Sequence, residues 1–183
     1  VSSRRTLEEA AAELFLEQGY DRTTVDDIAR RAGVGRATFF NYFPSKPDLL
    51  WVDVDEALDS LRAELAEPGD VPSVLAAIRS VASRLGPERI PLVVTQFELI
   101  GGRQEVAAAG LSRIATLASL LCAALRRPGA DPLVVDTMGA MLAAATVSAW
   151  RAWAAGGVGR GSFDAYLERS LDVVTGGISR RRE

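Results

Sequence analysis

Side chains able to do acid–base or metal chemistry at neutral pH are nearly missing from this chain. It has no histidine and one cysteine, Cys122. That removes the usual general base, the commonest metal ligand and any intrachain disulfide. Only an oxygen-ligand metal site remains, and no loop in the sequence builds one. Cys122 reads as a small buried apolar residue. A small helical enzyme would have to work with carboxylates such as Glu98 or Asp136. No catalytic residue, metal ligand or cofactor is therefore assigned. What the residues do offer is hydrogen bonding to nucleic acid. Arg36 and Asn41 can make bidentate contacts to base edges, and Thr38 can bond a base or a phosphate. The Ala37 methyl can touch a thymine methyl, and Tyr42 can bond a phosphate while its ring packs. Lys46, the only lysine in the chain, stands where its charge and nearby backbone N–H groups would face a phosphate.

These residues need a rigid frame, and the sequence supplies one. Leu7, Ala10, Ala11, Leu14 and Phe15 recur at helical spacing, with Glu8, Glu9, Glu13 and Glu17 outside them. Gly19 ends that helix. Thr24 starts a second, with Asp27 imitating a capping box. Val25, Ile28, Ala29 and Ala32 form its buried face, and Gly33 stops it. Val34 and Phe39 would pin a third short helix, about Gly35 to Tyr42, before Pro44. A helix, a tight glycine turn and a short helix make the layout of a helix-turn-helix, though a plain helical hairpin has the same spacing.

Charge limits what this frame can bind. The net charge is −3 and residues 1–50 hold seven basic and eight acidic side chains. Nucleic-acid binding must rest on a few aimed groups rather than on bulk charge.

The stretch Thr23-Thr24-Val25-Asp26-Asp27-Ile28-Ala29-Arg30-Arg31-Ala32-Gly33-Val34-Gly35-Arg36-Ala37-Thr38-Phe39-Phe40-Asn41-Tyr42-Phe43-Pro44-Ser45-Lys46, with Pro47-Asp48-Leu49-Leu50, resembles the DNA-binding domain of the TetR family of repressors. The resemblance runs from Arg5 to Leu50. It implies an all-α homodimer: a DNA-binding domain over residues 1–50 and an effector-binding and dimerisation domain over 51–183. Carried over by position, the DNA-facing set is Arg36, Ala37, Thr38, Phe40, Asn41, Tyr42 and Lys46, with Thr24 on a phosphate. Gly35 stands where members often have a serine cap. Phe40 and Tyr42 stand where tyrosine and histidine are common, and Phe40 has no hydroxyl to offer a phosphate. Thr38-Phe39-Phe40, Phe43-Pro44-Ser45-Lys46 and Asp48-Leu49-Leu50-Trp51 with Asp53 and Asp55 are similar to the mycofactocin-associated branch. Its C-terminal domains are associated with acyl-CoA-like ligands.

The remaining residues read as helices divided by glycine and proline signals. Ser45 caps a long fourth helix to about Leu65. A fifth spans Val71 to about Leu85, a sixth ends at Ile100, a seventh runs Arg103 to Arg127, an eighth reaches Ala155 and a ninth runs Ser162 to about Gly176. That makes about nine in all. The eighth is apolar nearly all round, from Met138 to Ala145, and the ninth carries Phe163, Tyr166, Leu167, Leu171 and Val174 on one stripe. These last two helices are expected to pair with a second copy; the alternative is that they fill the monomer's own core. The effector pocket falls to Phe97, Ile100, Ile114, Leu117, Met138, Met141 and Trp150, each equally suited to plain core. Arg89, Arg103 or Arg113 could meet an anionic head group. The acidic cluster Asp53, Asp55, Glu56 and Asp59 reads as a solvated face. Gly156 to Ser162 lacks the lysine and preceding strand of a phosphate loop, so it reads as a helix connection.

Arg4 and Arg5 lead into an acidic segment rather than an apolar run, so no signal peptide is read. The longest uncharged apolar stretch, Thr137 to Trp150, falls short of the ~20 residues that span a bilayer. The expectation is a cytoplasmic regulator whose partners are double-stranded operator DNA, a small-molecule effector and a second copy, with no membrane. The other reading is a small helical ligand carrier without operator recognition.

Overall fold

The computed structural model describes residues 3–84 and 104–179. Among these the chain forms eight α-helices. They are α1 (Ser3–Gln18), α2 (Val25–Arg31), α3 (Arg36–Tyr42), α4 (Val52–Glu64), α5 (Val71–Ser83), α6 (Gln104–Leu125), α7 (Pro132–Ala155) and α8 (Phe163–Ser179). The expected helix ending at Ile100 lies outside the described residues. The described residues divide into two compact units. One holds 3–54 with 104–111; the other holds 55–84 with 112–179.

The first unit is built on the apolar stripe of α1. Leu7, Ala10, Ala11, Leu14 and Phe15 are buried against Ile28 and Ala29 of α2 and Phe39 of α3. Val25 and Ala32, expected in this core, are only half-buried. The Phe15 and Tyr20 rings meet at 5.1 Å, and Phe39 and Phe43 at 5.6 Å. Buried Thr23 satisfies its hydroxyl on the Gly19 carbonyl at 2.8 Å, which ties the α1–α2 loop to the end of α1. Gly19 itself has φ +84°.

The turn between α2 and α3 is a backbone device. Gly33 adopts φ +68°, open to glycine without steric cost. Its N–H bonds the Arg30 carbonyl at 3.1 Å, and the Val34 N–H reaches back to Ala29 at 2.9 Å. This pair of bonds is a Schellman closure of α2.

One sequence expectation fails after α3. Ser45 does not open a long α-helix. Its hydroxyl donates to the Asp48 carboxylate at 2.6 Å, while Asp48 N–H and Leu49 N–H bond three residues back. Pro47, with no N–H to give, heads a 3₁₀ turn, Pro47–Trp51, which leads into α4.

In the second unit α7 and α8 form the most extensive helix pair. Asp70 and Asp131 cap α5 and α7, accepting from Ser73 N–H and Leu133 N–H, both at 2.9 Å. Trp153 is fully buried; its indole N–H donates to the Gly161 carbonyl at 2.9 Å and its ring meets Phe163 at 5.8 Å. Gly156–Gly161 is therefore a helix connection around an indole, as its sequence suggested. Arg79 of α5 makes a two-point fork to Glu168 of α8, at 2.7 and 2.9 Å.

The α8 stripe is accounted for within the chain, and one expectation about α7 is corrected. Phe163, Leu167, Leu171 and Val174 are buried within the chain itself, against α7 and α5, so this stripe is core. Tyr166 beside them is half-buried. Helix α7 is not buried all round either: Leu142, Ala143 and Ala145 point inward, while Ala140, Met141 and Ala144 are exposed. The pattern is amphipathic, with alanines on the open side that composition alone reads as apolar.

α6 and α7 cross closely at Gly139. A methyl group there would sit 2.4 Å from Cys122 Sγ and 2.8 Å from the Cys122 backbone nitrogen. Substituting Gly139→Ala should lower stability by about 1–3 kcal/mol, the usual cost of overpacking. Cys122→Ala in the same chain should restore only part of this, because the backbone clash remains. Denaturant unfolding checks it; an unchanged midpoint in Gly139→Ala would show that the helices do not cross at this glycine.

Candidate nucleic-acid interface

Helix α3 is anchored by one fully buried side chain, Phe39. Around it Arg36, Ala37, Phe40, Asn41 and Tyr42 are exposed and Thr38 is half-buried. Phe40 and Tyr42 keep 46% and 44% of their surface open to solvent. The structure thus brings the expected reading residues of α3 onto one helix. Gly35 caps it without any side-chain bond, as its lack of a hydroxyl requires.

Arg36 is not a loose cation. Its Nη1 donates to Asp26 Oδ1 of α2 at 2.7 Å, and its guanidinium lies 5.3 Å from the centre of the Phe40 ring. Asp26 was not singled out in the sequence. The signal lay in its position: an acid in the first turn of α2 and a base at the first position of α3, brought together by a tight turn.

Thr24 sits at the N-cap of α2 in a complete capping box. Its hydroxyl accepts from Asp27 N–H at 3.1 Å and donates to Asp27 Oδ2 at 2.6 Å; the Thr24 N–H also reaches that carboxylate, at 3.0 Å. The Thr24 hydroxyl bond, then the backbone bond, hold the Asp27 carboxyl below the usual aspartate range. Arg31 forks onto Glu17 and also reaches Glu13, joining α2 to α1.

Lys46 is placed differently from the expectation that its charge faces outward. Its ammonium donates to the carbonyls of Tyr20 at 2.9 Å and Thr23 at 3.0 Å, and lies 3.9 Å from the Tyr20 ring centre. Partial burial pulls its pKa down, and the negative charge of Glu105 pulls it back up. Two of its three N–H groups hold the α1–α2 loop, which leaves one. An open cleft of about 590 Å³ adjoins it, lined by Val25, Phe40, Ser45, Asp48 and Glu105 among others.

The expected effector residues are more scattered. Leu117 is core, Met138 and Trp150 are half-buried, and Ile114 and Met141 are exposed. None of them lines the cleft beside Lys46. Phe97 and Ile100, with Arg89 and Arg103, lie outside the described residues. Arg113 is committed to a fork on Asp55, at 2.8 and 2.6 Å, which also takes Asp55 out of the solvated acidic cluster.

Comparison with known proteins also divides the chain in two. Residues 7–50 match the family described as bacterial regulatory proteins, tetR family. Residues 71–179, more than half of the chain, match the MftR C-terminal domain. The mycofactocin biosynthesis transcriptional regulator MftR of Mycobacterium tuberculosis is 41% identical over 59 residues, which span 32% of this chain and 30% of that protein. Among solved structures, Thermus thermophilus FadR, a TetR family transcriptional repressor in complex with lauroyl-CoA, has a TM-score of 0.59 at 25% identity, covering 94% of this chain and 93% of that one. The fatty acid degradation regulator FadR from Bacillus halodurans has a TM-score of 0.61 at 21% identity, covering 94% and 98%, and bears on the fold alone. α6 and α7 are long and apolar enough to cross a membrane, a test that the core helices of a folded domain pass as well. Both lie inside the span matched by the MftR C-terminal domain.

Two outcomes are expected from the bonds that hold this surface. Lys46→Met should destabilise the DNA-free protein by about 2 kcal/mol, the scale of hydrogen bonds from a charged donor. A lysine serving phosphates alone would leave the unfolding midpoint where it is. Because the Asp27 carboxyl is held low, its contribution is present above the unfolded aspartate pKa and disappears as acid carries the pH through the lower, folded value. Acid titration should therefore melt α2 less steeply in Asp27→Asn, followed by helical circular dichroism.

Proposed function

Because the chain belongs to the tetR family of bacterial regulatory proteins and carries an MftR-type C-terminal domain, we propose that it is a repressor. It acts as a cytoplasmic homodimer on a palindromic operator and is released by an acyl-CoA-like or other apolar effector. The observation that carries this reading is α3, with Phe39 as its one buried side chain and Arg36, Ala37, Phe40, Asn41 and Tyr42 exposed. Such a helix enters the major groove. Asn41 suits adenine N6 and N7, Arg36 suits guanine, and the Ala37 methyl suits a thymine methyl. Thr38, Tyr42 and the remaining Lys46 N–H set the register on phosphates. Thr24 adds a phosphate contact from its cap, and Phe40 packs against the sugar edge.

Two copies place their recognition helices about one DNA turn apart, ~34 Å or a multiple of it. The dimer forms through α7 and α8. Support comes from the apolar side chains these helices leave open, Val134 on α7 and Val173 on α8. The effector domain is 51–183, with Leu117, Met138 and Trp150 at the pocket and Ile114 and Met141 at its edge. The lauroyl-CoA complex of the Thermus protein supports an acyl-CoA-like effector. The effector acts by favouring a spacing of the two helices that no longer matches the operator.

The test begins with duplexes selected from a random pool by the full chain. Arg36→Ala should relax preference at one base pair per half-site by about 5- to 150-fold, the range of one bidentate contact. Tyr42→Phe should weaken all duplexes alike. Lauroyl-CoA should release the selected duplex. Unchanged selectivity and affinity in both variants would remove the site assignment. No binding to any duplex at low salt would leave a ligand carrier without operator recognition.

A further inference from the structure

The pairing of Arg36 with Asp26 calls for its own explanation, because it contributes little to stability. Both side chains are more than half exposed, and ion pairs in that setting are weak. The pair also sits on the face where a positive charge would serve DNA affinity best, and cancels it there.

We propose that Asp26 is a specificity-setting positioning residue: it holds Arg36 as a guanine probe and denies its charge to other sequences. The proposal rests on the reading of α3 as the recognition helix. Two contacts fix the guanidinium. The Asp26 carboxylate takes an Nη1 hydrogen at 2.7 Å, and the Phe40 ring centre lies 5.3 Å from the guanidinium carbon. The edge left open is Nε with Nη2, two parallel N–H donors that match O6 and N7 of guanine. A free arginine on a helix start would lose rotamer freedom on reaching this pose. Here the pose exists before DNA arrives.

The carboxylate has a second effect. Facing any base pair that cannot use the Nε–Nη2 edge, the pair is neutral, so Arg36 adds nothing to non-specific attraction. Asp26 also carries a negative charge toward the phosphates. Binding to wrong sequences is weakened while binding to guanine keeps its two hydrogen bonds. This fits a DNA-binding unit whose first fifty residues carry more acid than base.

The test compares wild type with Asp26→Asn. Each half-site guanine in the selected duplex is replaced by 7-deazaguanine, which lacks the N7 acceptor. Wild type should lose about tenfold in affinity, within the range of one bidentate contact. Asp26→Asn should lose less than about threefold, and it should bind random-sequence duplex more tightly with a steeper salt dependence. Arg36→Lys, without the planar fork, should abolish the effect of 7-deazaguanine in either background. The unfolding midpoint should stay the same in Asp26→Asn; a residue with only a structural part would shift it and leave the guanine dependence intact. The proposal is overturned if Asp26→Asn shows the wild-type penalty on 7-deazaguanine, or if the selected site has no guanine that matters. Failure of wild type to select any sequence overturns the operator reading as well, so the two failures are told apart.

Discussion

A single ammonium group closes the N-terminal unit. Lys46 follows α3 in the chain, yet it is bound to the loop that precedes α2, through the carbonyls of Tyr20 and Thr23. The Tyr20 ring receives the same charge on its face and packs on Phe15 of α1. Thr23, in turn, anchors its hydroxyl on Gly19 and presents Thr24 as the cap of α2. So the end of the motif fixes its beginning. Remove that charge and the loop carbonyls lose their partner, the cap loses its platform, and the direction of α2 is no longer held from both sides.

The electrostatics around this closure are economical. Every basic side chain in residues 3–50 already has a partner. Arg4 and Arg5 bind acids one turn on in α1, Arg22 bonds the Gln18 carbonyl, Arg30 and Arg31 bind Asp27 and Glu17, and Arg36 binds Asp26. A phosphate contact by any of these is an exchange of partners, so its net contribution is a difference between two attractions. That explains how a slightly acidic surface can serve DNA: its attraction to a featureless polyanion is weak, and its attraction to one matched surface need not be.

Much of this was legible in the sequence because it depends on local signals. The Thr24–Asp27 cap, the Gly33 turn, the poor cap at Gly35 and the Asp70 and Asp131 helix starts each need only a few neighbouring residues. Two of the misses are pairs distant in the chain. Asp26 and Arg36 lie ten residues apart, Asp55 and Arg113 fifty-eight, and no periodicity reports such pairs. The α8 stripe was visible, but whether it met its own chain or another is not written in a stripe. Ser45 looked like a helix cap until its hydroxyl turned to the Asp48 side chain. The effector lining was the least legible, because Leu, Met and Trp suit a core and a pocket equally.

The Schellman turn and the single anchor Phe39 separate what holds α3 from what α3 displays. The hinge angle is set by backbone bonds from Gly33 and Val34, and the seating by one buried ring. The exposed positions can therefore mutate with little penalty in folding. In evolutionary terms, the address a copy of this gene answers to can drift after duplication while the scaffold stays under selection. A lineage of such regulators could acquire new operators by changing four or five surface residues, with Asp26 and Arg36 changing together.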